Sequence, residues 1–437
     1  MWRIRTILIF FAISLFLLAD AQELPRVRSL TPRQADSLAR KQVFYKDRVV
    51  PFHTVASDVT VKLTGKRNFG KLDPVRFVSS LIVFPSDWVD VPLFKISDKR
   101  LADSLEVRKG DMIPISVLFD EYGDYKLRNF YLSGDEAFDK AILDLDEKIE
   151  ILLLLRTNSL FQPLQDSGIE PLPEWKVSLE IFFNKVHIVT WLFIVAFSIS
   201  LIGILSICFK QRNFLWLLYI FPALISLADF ILRWLIGGFI PLADGEQVMI
   251  FMSVILFIMA TISCNSKPWI ATAMMVMGAF TSLVARLSAS NPVITAISPA
   301  LASPWLAFHV SVIMMSYAFL AVMFPLSIAL ECVKRDKGEG LAKWCRNVNI
   351  IGVVLLGLGI ILGSLWAKEA WGRYWSWDPK ENWAAITFFV YLLPLCLGNR
   401  IIKNYRLYGI ILIIAFFMMI ITYFGVNYFI GGMHSYA

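Results

Sequence analysis

Trp366-Ala367-Lys368-Glu369-Ala370-Trp371-Gly372-Arg373-Tyr374-Trp375-Ser376-Trp377-Asp378-Pro379-Lys380-Glu381-Asn382-Trp383 joins two apolar runs, 347–366 and 384–398. A bilayer core is spanned by about 20 apolar residues. The first run meets that length; the second needs Trp383 and helix tilt. Outward from this loop the same pattern repeats: apolar segments at 187–208, 214–237, 247–263, 270–287, 304–332 and 407–429 complete a set of eight. Of the 437 residues 57% are hydrophobic and 18% charged, against roughly 25% charged in a soluble globular chain. A purely soluble enzyme, a disordered chain and a fibrous repeat are thereby excluded. The expected fold class is an α-helical polytopic membrane protein of about eight transmembrane helices, preceded by an N-terminal extracytoplasmic soluble domain of mixed α/β structure.

Charge supports that division. Residues 22–180 carry 23 Lys/Arg and 25 Asp/Glu, whereas residues 181–437 carry 17 and 9. The basic excess therefore lies between apolar segments, as in membrane loops, and not on a nucleic-acid-binding face. Met1-Trp2-Arg3-Ile4-Arg5, the apolar run Ile7–Leu18 and Ala19-Asp20-Ala21 read as a signal peptide over 1–21, an uncleaved anchor being the alternative. With residue 180 outside, eleven basic residues fall on inner loops (Lys210, Arg212, Lys267, Lys334, Arg335, Lys337, Lys343, Arg346, Arg400, Lys403, Arg406). Arg286, Lys368, Arg373 and Lys380 fall on outer ones. The positive-inside rule gives the same orientation as the signal: loop 366–383 and the C-terminus outside, in a bacterial inner (cytoplasmic) membrane. The five cysteines (Cys208, Cys264, Cys332, Cys345, Cys396) all lie past residue 180, with no C-x-x-C or C-x-x-C-H, so the chain is neither a disulfide scaffold nor itself a c-type cytochrome.

Within 22–180 the spacing predicts a helix from Pro32 to about Val43, capped by Thr31 and Gln34. It also predicts a strand over Met112–Phe119, an amphipathic helix over Ala137–Thr157, and a proline-marked linker over Gln162–Trp175 into the membrane domain 187–437. His53, in Pro51-Phe52-His53-Thr54, reads as a structural hydrogen-bonding residue, with ligation as the sharper alternative.

Five of the 14 tryptophans fall in residues 366–383, where even spread would place fewer than one. An interfacial aromatic belt needs one or two per helix end; five interleaved with Gly372 and Asp378 make an aromatic platform able to hold a large flat π-system. Asp378-Pro379-Lys380-Glu381 is also a capping-box sequence, so Asp378 has a purely structural use as the start of the next helix. His309 lies about 6–8 Å along segment 304–332 from its outer end, and His434 follows the last segment; both are level with the tryptophan loop. A lone intramembrane histidine is often a helix–helix hydrogen-bond partner, but two beside an aromatic platform suit axial ligation of a flat macrocycle's iron.

Trp371-Gly372-Arg373-Tyr374-Trp375-Ser376-Trp377-Asp378-Pro379-Lys380-Glu381 resembles the tryptophan-rich WWD motif of haem-handling proteins. Pro304-Trp305-Leu306-Ala307-Phe308-His309-Val310 and Gly425-Val426-Asn427 through His434-Ser435-Tyr436-Ala437 are similar to the two outer histidine segments of the CcsA (ResC-like) cytochrome c assembly family. Ile240-Pro241-Leu242 through Glu246 resembles that family's loop before an early helix. The resemblance implies a chain that binds haem b at the outer face and, with a CcsB (ResB-like) partner, presents it to the C-x-x-C-H site of apocytochrome c for thioether formation, as a component of cytochrome c synthase (haem lyase). It implies His309 and His434 as iron ligands and Trp371, Gly372, Tyr374, Trp375, Trp377 and Asp378 as the haem frame. By sidedness and charge alone, Arg286, Arg373 and Lys380 are the candidates to meet the propionates. The sequence departs from the family at Cys396, which stands where relatives carry a deeper histidine, and in the exported domain 22–180. A non-catalytic haem chaperone or exporter, and a transporter or scaffold with structural tryptophans, are the alternatives.

Overall fold

The computed structural model describes residues 27–432 apart from 129, 131–133, 165–168, 210–213, 289–292, 298–300 and 431. The expected signal peptide and His434 lie outside the described residues. The chain divides into two compact units, Met1–Asn184 and Lys185–Ala437.

The first unit mixes helices with short strands. Thr31 caps Pro32–Ala39 (α1) through the expected reciprocal pair with Gln34. The helix stops four residues before Val43, because Gln42–Tyr45 (β1) pairs with Arg48–Pro51 (β2) in an antiparallel hairpin. Its two turn residues, Lys46 and Asp47, both have positive φ, 48° and 61°. That is the turn geometry whose twist matches a hairpin, and a local backbone preference of this kind overrides the helical spacing. Phe52–Thr64 (α2) and Pro74–Val83 (α3) follow. Phe94–Lys95 (β3) and Lys99–Ser104 (α4) come next, and Met112–Ile113 (β4) pairs with β3. The strand expected over Met112–Phe119 ends at Ile113: Pro114 has no N–H to continue a ladder, and Ile115–Leu118 forms a 3-10 turn. Glu136–Arg156 (α5) is the expected amphipathic helix, with Phe138, Ile142 and Leu145 buried on one face. Gln162–Pro163 (β5), expected as linker, instead extends the first sheet to the order β2-β1-β5.

A buried polar network ties Glu174–Val186 (α6) to this core. Glu180 accepts from Arg48 and from Thr54 Oγ1 at 2.8 Å, and Asn184 Nδ2 donates to Thr54 Oγ1 at 3.0 Å. Burial pushes the Glu180 carboxyl upward, opposed by the Arg48 guanidinium. His53 is buried in α2, its Nδ1 3.4 Å from Ser57 Oγ, the position of a structural histidine.

The second unit is a helical bundle: Ile188–Cys208 (α7), Leu215–Gly237 (α8), Gly245–Ser263 (α9), Pro268–Ser288 (α10), Pro304–Ala321 (α11) running into Met323–Cys332 (α12), Arg335–Trp371 (α13), Pro379–Cys396 (α14), Asn399–Lys403 (α15) and Tyr405–Ile420 (α16), which passes into a π-helix over Ile421–Ile430. Among the described residues seven helical stretches are long and apolar enough to cross a membrane, so the chain is a polytopic helical membrane protein. The expected eighth, 384–398, lies in α14, whose polar first turn, Pro379-Lys380-Glu381-Asn382, makes that helix less apolar than the other seven. Asp229 on α8, Arg233 one turn later and Glu246 on α9 form a buried charge triad, with contacts of 2.9 and 2.8 Å.

A close seam joins α11 to α13. Gly352, Gly359 and Gly363 share one face of α13, and the side chains of Leu320, Ile313 and His309 fill the space their missing Cβ atoms leave. Small residues spaced in this way let membrane helices approach closely.

In the first unit, Arg28 clasps Asp87 through Nε and Nη2 at 2.8 and 2.7 Å and draws its carboxyl down to about 2. A depressed carboxyl stabilises the fold above its unfolded pKa, and the contribution disappears as pH falls through the folded value. Asp87→Asn is therefore expected to unfold at a lower temperature than the unaltered chain at neutral pH, with the two converging as pH falls from about 4 to about 2. A temperature gap that ignores pH would assign the loss to something other than this pair.

Candidate functional site

The tryptophan loop is held by main-chain rules at both ends. Gly372 takes the left-handed cap that ends α13 (φ 78°), its N–H returning to Lys368 O at 3.0 Å, and Lys368 Nζ closes on Gly372 O at 2.9 Å. At the other end Asp378 caps α14 by accepting from Lys380 N at 3.1 Å. Glu381 Oε2 collects the N–H groups of Ser376 and Asp378 at 2.7 and 3.2 Å. Asn382 Nδ2 donates to Trp377 O at 2.9 Å. Between these anchors Trp377 is held at φ 59°, a conformation that a bulky L residue enters only under constraint.

The indoles are graded in exposure. Trp366 is buried and meets Trp371 edge-on at 4.8 Å between centroids; Trp375 meets Trp377 edge-on at 6.2 Å, and Trp377 is 77% exposed. Behind the loop lies a cavity of about 560 Å³, walled by His309, Tyr317, Trp366, Tyr374, Trp375 and Tyr423, with Leu242–Gly245 and the π-helix closing its sides. That volume falls within the range of small-molecule and cofactor sites.

His309 is oriented from behind. Its Nδ1 lies 2.8 Å from Gly359 O; a carbonyl can only accept, so Nδ1 carries a proton, and in the neutral ring the lone pair is then on Nε2. The ring fits because position 363 has no side chain: a Cβ there would sit 2.6 Å from His309 Cε1 and 2.8 Å from Nδ1. Gly432 rests on the Asp378 carboxylate, where a Cβ would lie 2.6 Å from Oδ1.

The structure thus brings His309, Tyr374 and Trp375 to one cavity wall. Trp371 and Gly372 shape the end of α13, Trp377 braces Trp375 from the exposed side, and Asp378 is buried as helix cap and as the seat of Gly432. His434 is outside the described residues. Cys396 is exposed at the far end of α14, 17 residues from Pro379 and thus about 25 Å along the axis. Among the described residues no three His, Cys, Asp or Glu side chains gather as a metal cage. Sequence reasoning missed Gly359 and Gly363, although Gly359-Ile360-Ile361-Leu362-Gly363 is a legible small-residue motif. It also missed Tyr317 and Tyr423, which no local pattern marks.

Lys380 reaches into the cavity from the polar first turn of α14 and donates to Asn427 Oδ1 at 2.9 Å. Burial lowers its pKa to about 8, with Asp378 pulling the other way.

Residues 242–434 match the family described as Cytochrome C assembly protein. The chain is similar to Protein NrfI of Wolinella succinogenes, 27% identical over 478 residues that take in 89% of this chain and 53% of NrfI. It is similar to the cytochrome c biogenesis protein CcsA of Prochlorococcus marinus, 33% identical over 304 residues, 59% of this chain and 97% of that CcsA. The CcsA of Brachypodium distachyon is 32% identical over 263 residues, 47% of this chain and 80% of its own. The chain therefore spans about half the length of NrfI.

Gly363→Ala places a methyl group against the His309 ring, and overpacking of this kind costs about 1–3 kcal/mol. In a His309→Ala background the space reopens and most of that cost is expected to vanish, a coupling that a double-mutant cycle of thermal unfolding resolves. Equal costs in both backgrounds would show that the glycine serves something other than the histidine.

Proposed function

Because the chain belongs to the CcsA-like family of cytochrome c assembly proteins, we propose that it works in cytochrome c biogenesis, taking haem b as substrate into the tryptophan-loop cavity and presenting it to the C-x-x-C-H site of an apocytochrome. The observation that carries this reading is the His309 imidazole, fixed by Gly359 and Gly363 against a wall of Trp375 and Tyr374. Haem iron already holds four ring nitrogens, so the protein need supply only axial groups. His309 Nε2 is one, and His434 is the second by the family's pattern; Gly432, two residues before it, rests on Asp378 of the loop.

In this reading Trp375 and Trp366 shield the macrocycle from water, Trp377 braces the outer edge, and the caps at Gly372 and Asp378 keep the ledge rigid. Rigidity matters because each thioether forms by addition: the cysteine sulfur bonds to one vinyl carbon and the thiol hydrogen goes to the other, with nothing lost. The chain's contribution is alignment of haem with the arriving peptide, a proximity effect.

Eleven basic residues on one set of loops against four on the other favour an inner-membrane placement with the tryptophan loop outside and residues 22–180 as a soluble periplasmic domain. By the family's pattern a ResB-like membrane protein is its partner in this reading. Cys396, at the far end of α14, gives no second iron ligand near the cavity, and this favours haem presentation at the outer face over relay through the membrane.

The purified protein is expected to show a bis-imidazole haem spectrum that His309→Ala and His434→Ala each alter, exogenous imidazole partly restoring it. An identical spectrum in both variants would refute the ligand assignment. Co-expression with a C-x-x-C-H apocytochrome and the partner is expected to yield haem that stays attached on denaturing gels. Haem bound but never attached would make the chain a carrier, and no haem at all would favour a transporter.

A further inference from the structure

Helix α6 has two faces. Val177, Glu180, Ile181 and Asn184 turn inward and are buried. The opposite face carries Trp175, Leu179, Phe182 and Val186, spaced four, three and four residues apart, which places them in one apolar stripe along the helix. Trp175 and Phe182 are 56% and 53% exposed, Leu179 and Val186 are half-buried, and none of the four is part of either hydrophobic core. At about 100° of turn per residue, Lys176 and Lys185 fall about a quarter turn to either side of the stripe. A single residue, His187 at φ 52°, separates α6 from Ile188–Cys208, the first apolar span.

We propose that this stripe is a lipid-binding surface: α6 lies in the headgroup layer of the bilayer, its four apolar side chains turned toward the acyl chains. The inference is independent of what the cavity holds. Chain continuity brings Val186 to the bilayer surface, because the span begins two residues later. Tryptophan favours that depth, where the ring meets acyl chains and the indole N–H meets water. The flanking lysines suit the same layer: their stems lie along apolar surface while the ammonium groups reach lipid phosphates. The left-handed backbone at His187 breaks the helical path, so α7 need not continue the course of α6. Glu180 and Asn184 bond α6 to Arg48 and Thr54, so a contact made by the stripe is passed to the core of the first unit and not to a loose linker.

The test is nitroxide accessibility in the full chain, reconstituted in nanodiscs of phosphatidylcholine and phosphatidylglycerol. Cys208, Cys332 and Cys396, the exposed cysteines, are first replaced by serine. Single labels are then placed through Trp175→Cys and Phe182→Cys, with Leu201→Cys on α7, exposed within the span, as the lipid reference. Labels at 175 and 182 are expected to keep access to oxygen and to lose access to a water-soluble nickel chelate, both alike, as the reference does. Full access of both labels to the chelate overturns the proposal, since the stripe then faces water. A label at 182 in lipid with one at 175 in water also overturns it, since α6 then stands away from the surface. Labels immobilised and shielded from oxygen and chelate together overturn it in favour of a protein, a second copy or a partner, covering the stripe.

Discussion

The close approach of α11 to α13 sets the geometry of everything at the loop end of the bundle. At positions 352, 359 and 363 the missing side chains let Leu320, Ile313 and His309 sink into the neighbouring helix. In a bilayer apolar burial gives little drive for helices to associate, so packing and interhelical hydrogen bonds must hold them together. Ser316 Oγ donating to Gly352 O at 2.7 Å and the His309–Gly359 contact supply two such bonds along the same seam. A histidine gripped on its back edge by a carbonyl is pre-oriented before any ligand arrives.

The tryptophan loop meets that seam as a second rigid body. Its tension is local: an indole-bearing residue at φ 59° costs about 1–3 kcal/mol. The capping box of Asp378 and Glu381 contributes about 0.5–2 kcal/mol, enough to offset most of it, and Glu381 pins the residues on either side of Trp377. Evenly matched terms of this size hold an exposed aromatic ledge without a core beneath it. The π-helix on the opposite wall continues the theme, since wide turns of this kind are rare and gather at functional sites.

Much of this was legible in the residues. The apolar segments, the caps at Thr31 and Asp378, the amphipathic helix near Phe138 and the clustering of tryptophans are local signals, and local chemistry decides them. What escaped depends on partners distant in sequence. Val43 lies in a strand because Val50 pairs with it, not because of its own neighbours. The shortened strand at Ile113 follows from one proline. The eighth segment, in α14, is less apolar than the other seven because its polar first turn belongs to the loop it caps. Tyr317 and Tyr423 reach the cavity wall only through tertiary packing. The glycine seam has a local pattern, but glycines in an apolar helix look like filler until a neighbour occupies their place.

The triad of Asp229, Arg233 and Glu246 stands just behind the residues, Leu242 to Gly245, that close one side of the cavity. Arg233 holds one carboxylate on each side, so removing it strands two acids in a medium that cannot solvate them, whereas removing either acid leaves a neutral pair. Replacing all three together with apolar groups would avoid that penalty but untie α9 from α8 at the very point where the cavity wall begins. Of the three, the guanidinium is consequently the member least replaceable on its own, since it answers for both acids at once.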